Sequence, residues 1–359
     1  MTMVRAHQTR LKLMIVALSG ALLLACCLAA SARSAVLKPP PGKVFFGVTD
    51  TGEGNDFRDF AKAVGKHPPV LQTFHPWDNS WKKSMARWRA VRARPMLHIT
   101  TRADDGTEVI TPRQIARGRG DDYLIRINRI ASRRHLRMYI RPLGEPNRCL
   151  NYYAAVDCSG NVRGGDYAYK WYRSAFRRIA IITKGGGKRG NINARLKKIG
   201  LPKVQNRGQS KRLPRRLPRA PIAIVWSPLP DGSPGTRANR PAKYWPGKDW
   251  VDWVGTDFYN RYNNWKHLAR FYDKWAVGKN KPMALSEFGL WGSDGPGFIK
   301  RIFTFARKRK KVRMMVYYQD FGSSNEFRIQ NFPRGRKTLA RFLRSPKFPK
   351  FAPGYPRFR

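Results

Sequence analysis

Acidic residues are scarce in this chain: 22 Asp and Glu stand against 72 Lys and Arg over 359 residues, a formal net charge of +50. That deficit makes retention on polyanions an expectation. It does not describe a basic tail protein, because the chain is also 42% hydrophobic and 12% aromatic, more apolar mass than a disordered polycation carries. Cysteine is equally sparse. Four cysteines exclude a disulfide scaffold, and no His or Cys stands at zinc spacing from them, so no metal is expected. No G-x-G-x-x-G follows the first apolar run, and Gly185-Gly186-Gly187 lacks the Lys-Ser/Thr ending of a phosphate loop, so no nucleotide cofactor is implied. There is no zinc-finger spacing or RNP-like run, and the arginines are spread along the whole chain, so no specific nucleic-acid partner is expected.

Long apolar runs are missing too, with one exception. Arg5, Arg10 and Lys12 precede an apolar run of 18 residues, Leu13 to Ala30, and Ala30-Ser31-Ala32 offers a small-residue cleavage site. Residues 1–32 are read as a signal peptide, with an uncleaved anchor or a lipid attachment at Cys26 as the alternatives. The product is expected outside the cell or at its envelope, with no further membrane span. Removing residues 1–32 leaves +47 on 327 residues, with Cys149 and Cys158 as the remaining cysteines. In an oxidising compartment that pair is expected to close a disulfide loop.

From Lys43 onward, short β-branched or aromatic runs alternate with longer amphipathic stretches. Eight strands are predicted: Val44 to Val48, Val70 to Phe74, Pro95 to Thr100, Leu136 to Arg141, Ile222 to Ser227, Val251 to Asp257, Pro282 to Ser286 and Arg313 to Tyr318. Helices are predicted over Asp56 to Lys66, Ser80 to Val91, Pro112 to Ser132, Tyr167 to Thr183, Trp265 to Trp275, Pro296 to Arg309 and Lys337 to Leu343. Eight βα units predict an α/β fold, a (β/α)8 TIM barrel, as a single domain over 43–345, with a linker at 33–42 and a tail at 346–359. A doubly wound open sheet is the alternative. The segment 184–220 holds thirteen Lys or Arg and no acid, and is read as a basic insertion or flexible loop.

Beyond residue 32 the chain has five glutamates, and two of them, Glu145 and Glu287, close apolar strands, the fourth and the seventh. In a TIM barrel the C-terminal strand ends form the active face, so both carboxylates are expected in one pocket. Two such groups suit glycoside hydrolysis, one protonating the departing oxygen while the other attacks the anomeric carbon or activates water. Arg141 is expected to pair with a buried carboxylate, Glu287. His75, Asn147, Trp77, Trp226, Trp291 and Tyr318 are candidate sugar contacts, the aromatics by stacking on pyranose faces. Asp257 is placed either among those contacts or as a brace at the barrel rim.

The phrases Arg141-Pro142-Leu143-Gly144-Glu145-Pro146-Asn147, Trp250-Val251-Asp252-Trp253-Val254-Gly255-Thr256-Asp257-Phe258-Tyr259-Asn260 and Leu285-Ser286-Glu287-Phe288-Gly289 resemble glycoside hydrolase family 26, a retaining group best known for β-mannanases. Phe74-His75-Pro76-Trp77 and Val225-Trp226-Ser227-Pro228 are similar to it as well. The resemblance implies an acid/base at Glu145, a nucleophile at Glu287 and a nucleophile-orienting tyrosine at Tyr259. It departs at Gly144, where the family usually has histidine, and in lacking a tryptophan shortly after Glu145, with Tyr152 and Tyr153 there instead.

The reading that follows is an exported, monomeric enzyme cutting a β-linked polysaccharide, with β-1,4-mannan ahead of xylan and β-glucan. A catalytically weak barrel that binds an anionic cell-wall polymer through its basic surface is the alternative. The positive field is expected to depress the pKa of both glutamates and to tie the acid limb of any activity profile to ionic strength.

Overall fold

The computed structural model describes residues 36–50, 56–77, 79–205, 213–319 and 326–354. The signal peptide and cleavage site read at 1–32 lie outside the described residues, as do 206–212 of the basic segment and 355–359 of the tail.

Eight strands form a closed barrel: β1 (Phe45–Asp50), β2 (Val70–His75), β3 (Arg94–Ile99), β4 (Met138–Pro142), β5 (Ile222–Trp226), β6 (Trp253–Tyr259), β7 (Met283–Gly289) and β8 (Val312–Tyr317). Each pairs in parallel with its sequence neighbour, and β8 closes on β1 with Phe45 opposite Met314. Period-two alternation explains why these runs are apolar on both faces. One set of side chains, among them Phe45, Val70, Met96, Tyr139, Val225, Trp253, Ala284 and Met314, fills the barrel interior. The alternate set, including Phe46, Leu71, Leu97, Ile140, Ile224, Val254, Leu285 and Met315, packs outward against the helices.

The surrounding helices are α1 (Asp56–Val64), α2 (Trp81–Val91), α3 (Pro112–Ala116), α4 (Asp121–Arg133), α5 (Tyr169–Lys184), α6 (Arg189–Lys198), α7 (Trp265–Phe271), α8 (Pro296–Lys308) and α9 (Pro333–Leu343). Their starts follow from sequence: Ser80 caps α2, Thr111 and Gln114 form a capping box on α3, and Pro opens α8 and α9. The single helix expected over Pro112 to Ser132 is two. Gly118 sits at φ +92°, and a Cβ there would press on the guanidinium of Arg178, which is held by the buried carboxylate of Asp121 through Nε–Oδ1 and Nη2–Oδ2 contacts of 2.7 and 2.5 Å. The Trp265 to Trp275 helix likewise loosens after Phe271 into a wider turn over Tyr272–Val277.

Three terminal or inserted segments are more ordered than their composition suggests. The described part of 184–220 contains α6 and a short antiparallel ribbon pairing Gly187–Lys188 with Arg216–Leu217, rather than a flexible loop throughout. Residues 36–42 and 346–354 cross the N-terminal mouth of the barrel: Trp253 Nε1 donates to Val36 O at 2.6 Å, and Arg94 donates to Leu37 O at 3.1 Å and Pro353 O at 2.6 Å. This closes the bottom and leaves the C-terminal rim open. Among the described residues no helix is long and apolar enough to cross a membrane.

Candidate active site

The inward face of each strand carries on past the apolar layer to the open rim. Val70 is followed by Gln72 and Phe74, Met96 by His98, Tyr139 by Arg141, and Trp253 by Gly255, Asp257 and Tyr259. Strict alternation from Ala284 would turn Glu287 outward. It does not, because the β6–β7 register slips: Thr256 pairs with Leu285 and Asp257 with Glu287, so Ser286 is an extra residue in β7. This bulge turns Glu287 inward and returns Phe288 to the outer core. It also needs space, since Ser286 Oγ occupies the place a Cβ at position 255 would take, and Gly255 leaves that place empty.

Glu287 is held from three sides. Arg141 Nη1 and Gln72 Nε2 donate to Oε1, the latter at 3.2 Å, and the Tyr259 hydroxyl donates to Oε2 at 2.7 Å. Arg141 uses Nη2 on Asp257 Oδ2, so one fully buried guanidinium serves two carboxyls. Burial works against the charge of Arg141, but Asp257 and Glu287 outweigh it and hold its pKa above the ordinary value. Burial likewise pushes the carboxyl of Asp257 well up and that of Glu287 up, with Arg141 opposing in both cases. The depression expected from the net positive charge is therefore not found at Glu287, because desolvation at the end of a barrel strand exceeds the pull of its guanidinium. Asp257 has Arg141 as its side-chain donor among the described residues and the Glu145 carboxyl close by, which raises it further, whereas Glu287 accepts from three donors. A proton shared among them belongs on Asp257, leaving Glu287 the anion. Tyr259, raised by burial and then by Glu287, stays a neutral donor.

Glu145 lies just past β4 in a strained backbone, with Leu143 and Glu145 both at φ +49°. The strain is held by hydrogen bonds: Glu145 N–H to Ser227 O at 2.6 Å, Gly144 N–H to His98 Nε2 at 3.3 Å, and Tyr153 OH to Gly144 O at 2.5 Å. Burial and the nearby Arg141 keep His98 neutral, as an acceptor at Nε2 must be. The Glu145 carboxylate pairs with Arg148 Nη1 at 3.1 Å, and its charge is the main reason the guanidinium's pKa lies above the ordinary value. Cys149 and Cys158 form the disulfide, and the loop they close lies against the site, with Asn151 donating to Glu145 O at 2.9 Å.

Glu145, Asp257, Tyr259, Glu287, Trp291 and Tyr318 line one cleft of about 1120 Å³. Tyr259, Trp291, Tyr318 and Phe327 form an aromatic wall with ring centroids 4.8 to 6.0 Å apart, and Trp291 Nε1 is fixed on Glu326 at 3.0 Å. Tyr262, 66% exposed, extends that wall outward.

Four expected sugar contacts do not line this cleft. Trp226 is fully buried on the helix side, against Trp245 and Trp275, with its N–H on Tyr244 O. Trp77 packs on Tyr123, and His75 is bound to Tyr123 OH and the carbonyls of Pro76 and Ser80. Asn147 is a buried loop clamp, donating to Leu229 O and accepting from Leu229 N–H. Gln72, His98, Arg102 and Arg148 belong to the site as well, and no motif in the sequence marks them. For Gln72 and His98 the signal was a polar residue on the inward parity of an otherwise apolar strand.

The chain matches no family model and no curated protein sequence. It does match solved structures. A modular endo-β-1,4-mannanase of Cellulomonas fimi, from glycoside hydrolase family 26, aligns over 89% of this chain and 75% of its own at 15% identity, with a TM-score of 0.57. A family 26 β-mannanase from Bacteroides ovatus covers 90% and 95% at 16% identity, with a TM-score of 0.56. The mannanase Man26 of Bacillus subtilis covers 89% and 90% at 13%, with a TM-score of 0.53.

The barrel shares the fold of these three mannanases. A side chain in place of Gly144, such as the histidine of the pattern the sequence resembles, has no room: a Cβ there would stand 2.7 Å from Arg141 Nε and 2.9 Å from its Cζ.

Proposed function

We propose that the chain is an exported retaining glycoside hydrolase that cuts a β-linked polysaccharide internally, with a β-1,4-mannan-type backbone preferred. The observation that carries this reading is the placement of Glu287, oriented by Arg141, Gln72 and Tyr259, in the same cleft as Glu145. The fold shared with these mannanases and the signal-peptide-like first 32 residues support it.

In this mechanism the Glu287 carboxylate attacks the anomeric carbon while Glu145 gives its proton to the departing glycosidic oxygen. Glu145, now ionised, removes a proton from water, and the resulting hydroxide releases the sugar from Glu287. Arg141, fully buried and outside the cleft lining, neutralises charge at the nucleophile through Oε1. Tyr259 holds Oε2 while Arg141 and Gln72 hold Oε1, so the rotation of the attacking carboxylate is fixed. The exposed rings of Tyr262 and Tyr152, 66% and 40% accessible, are platforms for pyranose faces. Reducing-sugar release from mannan, glucomannan, xylan and β-glucan, with Glu287→Ala as control, tests the reading. Release that persists in Glu287→Ala overturns Glu287 as the nucleophile, and binding without release by the wild type overturns the reading in favour of a carbohydrate-binding barrel.

A further inference from the structure

The charges of the cleft balance unevenly. Asp257 and Glu287 share Arg141 behind the cleft floor, and Asp231 pairs with His267 at 2.9 Å. Glu145 pairs with Arg148. Arg102 remains: its Nε is spent on Gly106 O at 3.0 Å, its guanidinium lies 5.0 Å above the ring of Tyr152, and among the described residues no carboxylate pairs with it. Arg102 is exposed and lines the same cleft as Arg148. Tyr152, on which it stacks, is four positions from Arg148 and inside the loop closed by Cys149 and Cys158, so the two cations stand on one wall.

A second imbalance appears when the site works. A general acid carries a proton, and a protonated Glu145 no longer presents a counter-charge to Arg148, whose side chain is only 40% exposed. Glu287, which also acts on Arg148 but less strongly, then carries more of its charge, and a carboxylate on the substrate restores the lost pairing. Neutral sugar hydroxyls do not supply one.

We infer that the substrate is a carboxylate-bearing, uronate-type β-linked polysaccharide, whose carboxylates are met by Arg102 and, once Glu145 is protonated, by Arg148. The inference rests on the hydrolase reading above and narrows its substrate class. Guanidinium groups are suited to it because they bind carboxylates bidentately. The net charge of +50 acts in the same direction, raising the local concentration of a polyanionic chain at the cleft.

The test uses one polymer in two forms: glucomannan, and the same glucomannan with its primary alcohols oxidised to carboxylates. The expected result is a kcat/KM at least about tenfold higher on the oxidised form at low salt, with the advantage shrinking as ionic strength rises. Arg102→Met, at an exposed position, is expected to cut that ratio several-fold, mainly through KM. Equilibrium binding of oxidised oligomers to Glu287→Ala protein gives the same comparison without turnover, and is expected to weaken in the Arg102→Met, Glu287→Ala double variant. Equal or faster cleavage of the neutral polymer overturns the inference and leaves the hydrolase reading standing. Cleavage of neither form overturns both.

Discussion

The hydroxyl of Tyr259, at the end of β6, donates to Oε2 of Glu287, at the bulged end of β7, across 2.7 Å. The bond fixes the rotation of the proposed nucleophile, and burial keeps the phenol protonated to make it. Tyr259→Phe removes one hydrogen bond to a charged group, worth about 1.5–3 kcal/mol, and leaves the cleft shape intact. The expected outcome is a kcat lower by ~10- to 100-fold with KM nearly unchanged. Steady-state kinetics on a soluble mannan-type substrate checks it, and a loss confined to KM would show that Tyr259 serves binding instead.

Gly144 is where the chain departs most informatively from the family pattern. A side chain there presses on Arg141, which is pinned by Asp257 and Glu287 and cannot swing aside. Gly144→Ala is therefore expected to lose ~1–3 kcal/mol of stability, the usual cost of overpacking, and most of its activity. Gly144→His, although it installs the family's usual residue, is expected to lower activity further rather than raise it. Thermal melts and initial rates of the two variants decide this.

Asp257 supplies a pH signature. Burial raises its carboxyl well above the ordinary range, so the folded chain holds that proton more tightly than the unfolded chain does. The stability this contributes is fully present below the unfolded value, about 3.9, and is lost as pH rises through the folded value. The unfolding free energy of wild type minus that of Asp257→Asn is expected to fall as pH goes from about 4 to about 8. A difference that grows over that range would mean Arg141 depresses the carboxyl and would move the shared proton elsewhere.

The disulfide between Cys149 and Cys158 closes a loop whose residues, Asn151 and Tyr153 among them, hold the backbone around Glu145. Replacing both cysteines by serine is expected to cost ~2–3 kcal/mol by the loop-entropy argument. It is also expected to raise KM, since Tyr152 and Arg148 lose their fixed placement on the cleft wall. Reduction of the native protein should reproduce both effects.

What could be read from sequence follows from burial. The eight strands are legible because a barrel strand is covered on both faces, inside by its neighbours and outside by helices, and so appears as an unbroken apolar run. Glu145 and Glu287 are legible because two of the five glutamates beyond residue 32 close apolar runs at matching barrel positions, whereas either alone would read as an arginine's partner. Inward and outward aromatics, by contrast, have the same composition: Trp226 and Trp291 each follow a strand core, yet only Trp291 lines the cleft. The bulge at Ser286 leaves no mark except the glycine opposite it, which is on another strand. The break between α3 and α4 is visible only once Arg178, some sixty positions on, is known to pack against Gly118.

The most direct test of the two-carboxylate site is hydrolysis by Glu145→Ala and Glu287→Ala proteins, each first shown to melt as the wild type does. Reducing-sugar release is expected to fall at least ~1,000-fold in Glu287→Ala and steeply in Glu145→Ala, while both retain oligosaccharide binding. Wild-type release rates in either variant would contradict the site.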